Sequence, residues 1–79
     1  MYNSAREVNT MYTIRELADL AGVTALTLRY YDQLGLLKPA EIRENGYRYH
    51  DRGNLLTLQQ ILFFRELDIP LNEIQLIIC

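Results

Sequence analysis

The sequence predicts a mainly α fold, a winged helix-turn-helix of four helices with a small β-hairpin wing. Three observations lead to this prediction. Two short amphipathic patterns are separated by Gly22, an Asn45-Gly46 pair lies between two segments of strand character, and a longer apolar pattern follows Asp51. A chain of 79 residues that is 49% hydrophobic has room for one domain around one core.

The first two helices are defined by their ends. Thr13-Ile14-Arg15-Glu16 has the form of a capping box. Apolar residues then recur at helical spacing, at Ile14, Leu17, Ala18 and Ala21. Gly22 suits the end of this helix, and Thr24 is a good N-cap for a second helix that ends at about Leu34. Two helices joined by a short turn that contains glycine form a helix-turn-helix.

The second helix has two distinct sides when successive residues are placed about 100° apart. The side expected to face the core carries Ala25, Leu28 and Tyr31. The outward side carries Leu26, Arg29, Tyr30 and Gln33. Two alternatives stay open. Arg29 either serves a ligand or pairs with Asp32 three residues later, and Tyr31 is either a core residue or a site residue.

A β-ribbon is predicted after the second helix. Residues 36–42 are expected to be extended, and Asn45-Gly46 between Arg43 and Tyr47 predicts a hairpin whose tip is that pair. The ribbon would carry Arg43, Tyr47 and Arg48. Tyr47 and Arg48 either contact a ligand or pair across the strands with no ligand.

Two further helices complete the prediction. Asp51 can cap a third helix that runs to about Asp68, and Pro70 suits the start of a fourth. One side of the third helix carries Leu55, Leu58, Ile61 and Leu62. The roughly opposite side carries Leu56, Phe63, Phe64 and Leu67. A helix that is apolar on two sides is normally covered on both, so the second side predicts self-association.

Composition favours a binding protein over an enzyme. With one histidine and one cysteine, His50 and Cys79, the chain lacks the ligands of a four-coordinate zinc site, and it has no glycine-rich phosphate loop. No apolar run approaches the roughly 20 residues of a membrane span, and the N-terminus lacks the apolar stretch of a secretory signal. We therefore expect a cytoplasmic protein with no catalytic residues, no metal, no cofactor and no membrane partner.

The distribution of charge points to DNA, although the net charge is −2. Five of the eight lysines and arginines fall within residues 24–53, namely Arg29, Lys38, Arg43, Arg48 and Arg52. A helix fits the major groove of B-DNA, where Arg29 and Tyr30 can donate hydrogen bonds. A ribbon that carries Arg43, Tyr47 and Arg48 can lie along the flanking phosphates as a wing.

Several motifs, in this order and spacing, resemble the N-terminal DNA-binding domain of the mercury-resistance regulator (MerR) family of bacterial transcription regulators. The resemblance covers Met11 to Ile78. The motifs are Tyr12-Thr13-Ile14-Arg15-Glu16-Leu17-Ala18, Ala21-Gly22-Val23-Thr24, Thr27-Leu28-Arg29-Tyr30-Tyr31-Asp32, Gly35-Leu36-Leu37-Lys38-Pro39, Asn45-Gly46-Tyr47-Arg48-Tyr49 and Leu58-Gln59-Gln60-Ile61-Leu62-Phe63-Phe64-Arg65-Glu66-Leu67.

The resemblance implies a sequence-specific DNA-binding domain whose second helix enters the major groove. It implies DNA contacts by Arg29, Tyr30 and Tyr31 in that helix, by Tyr47 and Arg48 in the wing, and auxiliary contacts by Thr24 and Thr27. For Tyr31 it implies that the ring packs inward while the hydroxyl reaches a phosphate. It also implies a homodimer that distorts promoter DNA and so affects RNA polymerase indirectly. Such a protein would be associated with the nucleoid.

The predicted organisation is a flexible N-terminal tail over residues 1–10 and the winged helix-turn-helix over residues 11–79. The family's dimerisation helix and effector domain are absent from the 79 residues. Two other functions stay open. One is a helical protein-interaction module that docks a partner on the third helix, and the other is a short architectural or excisionase-like DNA-binding factor with no effector domain.

Overall fold

The computed structural model describes residues 10–78, in which four helices accompany a three-stranded antiparallel sheet. The elements in chain order are β1 Tyr12–Thr13, α1 Ile14–Ala21, α2 Ala25–Gln33, β2 Glu41–Ile42, β3 Arg48–His50, α3 Arg52–Glu66 and α4 Leu71–Ile78. The predicted tail, apart from Thr10, lies outside the described residues, and so does Cys79. Within residues 10–78, no helix is both long and apolar enough to cross a membrane.

The helix-turn-helix forms as its capping residues predict. The Glu16 N–H donates to Thr13 Oγ1 at 3.1 Å, and the Thr13 N–H donates to Glu16 Oε1 at 2.9 Å, which completes the capping box at the start of α1. Gly22 ends α1 with a φ of 74°, a left-handed conformation that favours glycine. Thr24 caps α2 by accepting from the Thr27 N–H.

The sheet places β3 between β1 and β2. The predicted hairpin is confirmed, because the Arg43 N–H donates to the Tyr47 carbonyl at 3.0 Å and the Gly46 N–H donates to the Arg43 carbonyl at 2.8 Å. Gly46 has a φ of 82°, which explains the glycine at the tip. The first strand was not predicted, because a pair of residues is too short to show the alternation of a strand.

The segment after α2 is less extended than predicted. Only Glu41–Ile42 is a strand, whereas Leu36 and Leu37 are buried in the core. The backbone N–H groups of both leucines donate to the Tyr31 carbonyl at the end of α2, at 2.9 and 3.2 Å. The chain therefore turns at the end of α2 and places the side chains of Leu36 and Leu37 in the core before the wing begins.

One hydrophobic core joins all four helices. Its buried residues are Leu17, Ala18, Leu28, Tyr31, Leu36, Leu37, Leu58, Ile61 and Ile74. The third helix is shorter than predicted, because it ends at Glu66 and Asp68 then adopts a left-handed φ of 63°. This core fixes α2 and the sheet relative to each other, and these are the two elements that carry the predicted site.

The third helix exposes a narrower apolar side than predicted. Phe64, which the sequence placed on the second apolar side, packs against the core. Leu56, Phe63 and Leu67 are exposed, each by more than half of its surface.

Candidate nucleic-acid interface

The recognition-helix candidate α2 presents the outward side that its sequence predicts. Leu28 and Tyr31 are buried. The exposed residues are Leu26, Arg29, Tyr30 and Gln33. The helix has nine residues and is about 13 Å long, and the roughly 10–12 Å diameter of an α-helix with its side chains matches the roughly 12 Å width of the major groove. Its exposed side combines the hydrogen-bonding groups that read base edges with one apolar side chain, Leu26, which is 76% exposed.

Two predicted auxiliary residues lie at the N-terminal end of α2. The Thr27 N–H donates to Thr24 Oγ1 at 3.1 Å, and the two hydroxyls lie 2.9 Å apart. These contacts hold both threonine side chains at the start of the helix. Each hydroxyl oxygen has two acceptor lone pairs and one donor, so the pair keeps some hydrogen-bonding capacity. Their role as DNA contacts remains a prediction.

The adjacent tyrosines Tyr30 and Tyr31 have different environments. Tyr31 is 6% exposed and belongs to the core, whereas Tyr30 is about half exposed. Their ring centroids are 6.3 Å apart with an angle of 41° between the ring planes. The ring of Tyr31 therefore packs inward, which is the core alternative. Whether its hydroxyl also reaches a phosphate remains a prediction.

An ion-pair cluster at Asp32 connects α2 to the wing. Arg48 Nε donates to Asp32 Oδ2 at 2.8 Å, across 16 positions of the chain. Lys38 Nζ donates to Asp32 Oδ1 and to the Asp32 carbonyl, both at 3.2 Å. Asp32 is only 9% exposed, so the cluster is a largely desolvated junction. It holds the strand that carries Arg48 against the recognition helix.

The pairing of Asp32 settles the alternative left open for Arg29. The sequence spacing offered Asp32 as an ion-pair partner of Arg29, but its two carboxylate oxygens bind Arg48 and Lys38 instead. Within residues 10–78, no ion pair includes Arg29. Its exposed guanidinium is therefore not paired with a carboxylate of residues 10–78, and its role as a DNA contact remains a prediction.

The charge state of Asp32 follows from this pairing. Burial alone raises the pKa of a carboxyl group, but hydrogen bonds and charge attraction from Arg48 and Lys38 outweigh burial and hold the pKa of Asp32 below its ordinary value. Asp32 is therefore ionised at neutral pH. At neutral pH the charged Asp32 therefore keeps its ion pairs with Arg48 of the wing and with Lys38.

The wing presents a mixture of held and exposed side chains. Arg43 Nε donates to Glu41 Oε2 at 3.1 Å, and its guanidinium carbon lies 3.9 Å from the ring centroid of Tyr49, a cation–π contact. Tyr47 is exposed, and its backbone N–H donates to Asn45 Oδ1 at 2.9 Å. Two of the three predicted wing residues, Arg43 and Arg48, thus have partners within the chain. Their role in DNA contact remains a prediction.

A groove lies where α1, α2 and the wing meet. It is lined by Thr13, Ile14, Arg15, Arg29, Asn45, Gly46, Tyr47 and Arg48. Three of the predicted site residues, Arg29, Tyr47 and Arg48, therefore come together. Arg15 lies in the same groove and was not predicted, although its position one residue after Ile14 placed it off the apolar side of α1. Within residues 10–78, no group of three or more metal-ligating side chains is found.

His50 is the second buried polar side chain. It ends β3, is 1% exposed, and neither of its ring nitrogens has a hydrogen-bond partner among residues 10–78. Burial disfavours the charged imidazolium and lowers the pKa of His50, against the opposing charges of Asp32 and Asp51. We infer that the folded chain holds this ring neutral.

A pH series tests this state of His50. Below the unfolded pKa of about 6.5, the unfolded chain binds a proton that the folded chain does not, so stability falls as pH falls. We expect the free energy of unfolding in urea to fall by up to about 1.4 kcal/mol per pH unit between about pH 6.5 and the folded pKa. Asp32, whose pKa lies below its ordinary value, stays ionised here. His50→Leu should remove this slope, and an equal slope in both proteins would contradict the assignment.

Comparison with known proteins identifies the family. The family model described as MerR HTH family regulatory protein matches residues 12–78. The chain belongs to the MerR HTH family. Among curated MerR-type relatives, the HTH-type transcriptional regulator SkgA of Caulobacter vibrioides is 53% identical over 66 residues, which are 84% of this chain and 26% of SkgA. The chain thus spans about a quarter of the length of the curated relatives it matches.

Solved MerR-family structures share the fold. A transcriptional regulator of the MerR family from Bacillus cereus superposes with a TM-score of 0.84 at 43% identity, over 87% of this chain and 52% of that one. HiNmlR, a MerR family regulator lacking the sensor domain, was solved bound to promoter DNA. It superposes with a TM-score of 0.77 at 30% identity, over 84% of this chain and 52% of that one. The predicted winged helix-turn-helix is confirmed.

Proposed function

We propose that the chain is the sequence-specific DNA-binding domain of a MerR-type transcription regulator. The observation that carries the proposal is the joint placement of two surfaces. Arg29 of the exposed side of α2 and Tyr47 of the wing line the same groove, and Asp32 ties the wing to α2 through Arg48. In this arrangement α2 enters the major groove while the wing follows the phosphates.

The residues proposed to contact DNA have different roles. Arg29 and Tyr30 are the proposed readers of base edges or nearby phosphates, because they are exposed on α2. The remaining proposed contacts are Thr24, Thr27, Tyr31, Arg43, Tyr47 and Arg48. Relatives support this proposal, since SkgA is named a transcriptional regulator and HiNmlR was solved on promoter DNA.

The finer part of the proposal concerns the whole regulator. We propose that it acts in the cytoplasm as a homodimer that bends promoter DNA, and that RNA polymerase is affected indirectly through the DNA. The exposed apolar residues Leu56, Phe63 and Leu67 favour a protein contact as well. We assign that contact to the association of two copies of the chain, because this assignment requires no function besides DNA binding.

Fluorescence anisotropy with labelled duplex DNA tests the proposal. We expect the chain to bind with an affinity that falls as salt rises, because bound cations are released from phosphates. Arg29→Gln should weaken binding by about tenfold, the size of a good base or phosphate contact, and leave the melting temperature unchanged.

Arg65→Gln is the charge control, because it removes the same charge from the last turn of α3, outside the groove lining, together with the 3.0 Å hydrogen bond that Arg65 Nη1 donates to the Ile69 carbonyl. It should bind DNA like the parent chain. A folded chain that shows no salt-dependent binding would reject the proposal and favour the protein-interaction alternative.

A further inference from the structure

We propose that Arg15, at the start of α1, is a DNA-backbone contact that forms a seat for one phosphate of the duplex together with Arg29. The proposal rests on the proposed DNA-binding function and adds a residue and a ligand group to it. The seat is the groove between the first turn of α1, the outward side of α2 and the tip of the wing.

The groove concentrates positive charge in a chain whose net charge is −2. Arg15, Arg29 and Arg48 come from three different elements and line the same groove. Arg15 and Arg29 are exposed, and within residues 10–78 neither takes part in an ion pair. The acidic neighbour Glu16 accepts a hydrogen bond from the Thr13 N–H, so its carboxylate is directed to the start of the helix.

The three arginines differ in how free they are. Arg48 uses Nε to bind Asp32 at 2.8 Å, so one edge of its guanidinium is occupied and its charge is partly neutralised. Arg15 and Arg29 donate no hydrogen bond from their side chains to residues 10–78, so all five N–H donors of each guanidinium are available there. A guanidinium presents these donors in a planar fork that matches the oxygens of a phosphate. The positive charges in the groove that are not paired with a carboxylate therefore belong to Arg15 of α1 and Arg29 of α2.

The position of Arg15 in the helix-turn-helix indicates that its side chain contacts a DNA phosphate and not a base. The second helix of this motif enters the major groove, whereas the first helix crosses the DNA backbone outside it. A side chain on the first turn of α1 can therefore reach the backbone at the edge of the groove that α2 occupies. A contact of this kind positions the protein on DNA and carries no sequence information.

The test compares Arg15→Gln with the parent chain by anisotropy on labelled duplexes of mixed sequence, over a salt series. We expect Arg15→Gln to lower affinity by about fivefold, by the same factor on duplexes of unrelated sequence. The slope of log affinity against log salt should become smaller by about 0.9, the value for one phosphate contact. Arg15→Lys should keep the slope, because it keeps the charge, and lose part of the affinity, because it loses the fork.

A control variant and an NMR titration accompany the comparison of Arg15→Gln with the parent chain. Arg65→Gln, which removes the same charge from the far end of α3, should leave affinity and slope unchanged. In the parent chain, the NMR signal of the Arg15 Nε–H group should shift when duplex is added. Arg15 is exposed, so its substitution should leave the melting temperature nearly unchanged.

The outcomes separate this inference from the function on which it rests. If Arg29→Gln weakens binding while Arg15→Gln matches the parent in affinity and slope, the phosphate seat is wrong and the DNA-binding function stands. If Arg15→Gln weakens binding on one sequence only, Arg15 reads bases and the phosphate assignment is wrong. If the parent chain itself shows no salt-dependent binding, the function and the seat both fail.

Discussion

Dimerisation is expected to tighten the binding of this chain to DNA by about a hundredfold or more. The longest dimension is 40 Å, little more than one turn of DNA at about 34 Å, and residues 10–78 contain one proposed recognition helix, the nine residues of α2. One copy can therefore occupy one major-groove segment. When two copies are joined, the contact of the second copy with DNA becomes intramolecular. Its strength then depends on the effective concentration of the second copy near its site, and no second independent binding event is needed.

The measurement fuses a dimerising coiled coil after residue 79 and compares the fused and parent chains by anisotropy. A long duplex accommodates two recognition helices one DNA turn apart, and a short duplex accommodates one. The gain should appear on the long duplex only. A coiled coil with a polar substitution that keeps it monomeric controls for the added mass and charge. A gain of less than about threefold on the long duplex would contradict the two-site arrangement.

Local sequence signals predicted the helix-turn-helix and the hairpin because each has its own stop and start residues. The capping box at Thr13, the left-handed Gly22 and the turn at Gly46 each satisfy backbone groups within a few residues. Such signals depend on short-range geometry and need no knowledge of the rest of the fold. They placed the exposed side of α2 correctly, and with it Arg29 and Tyr30.

The features that sequence analysis missed all depend on contacts between distant parts of the chain. Asp32 and Arg48 are 16 positions apart, and nothing in the spacing distinguishes that pair from Asp32 with Arg29. The groove that adds Arg15 to the site exists only once α1, α2 and the wing have packed together. Long-range packing therefore decided which polar groups are paired and which are free.

Asp32→Asn is expected to lower the free energy of unfolding by about 2 kcal/mol. The carboxylate is largely buried, so removing its charge leaves Arg48 Nε and Lys38 Nζ without an anionic partner. The side chains of Arg48 and Lys38 are 35% and 68% exposed, so water screens part of the loss, and we set the expected value below that of a fully buried pair. Urea unfolding followed by far-UV circular dichroism measures the change.

The control is Asp19→Asn, which removes the same charge from an exposed position on α1 and should change stability by less than about 0.5 kcal/mol. Because Asp32 holds the wing, hydrogen exchange at the Arg43 and Gly46 amides should accelerate in Asp32→Asn more than exchange in the core.

The dependence of stability on acid pH is a second measurement of the same ion pairs. The folded pKa of Asp32 is lowered, so the stability it supplies is present above the unfolded pKa of about 3.9 and is lost as pH falls through the folded pKa. Asp32→Asn should lack that part of the acid dependence. A variant as stable as the parent chain, with unchanged wing exchange, would show that the ion pairs do not hold the wing and that core packing alone positions it against α2.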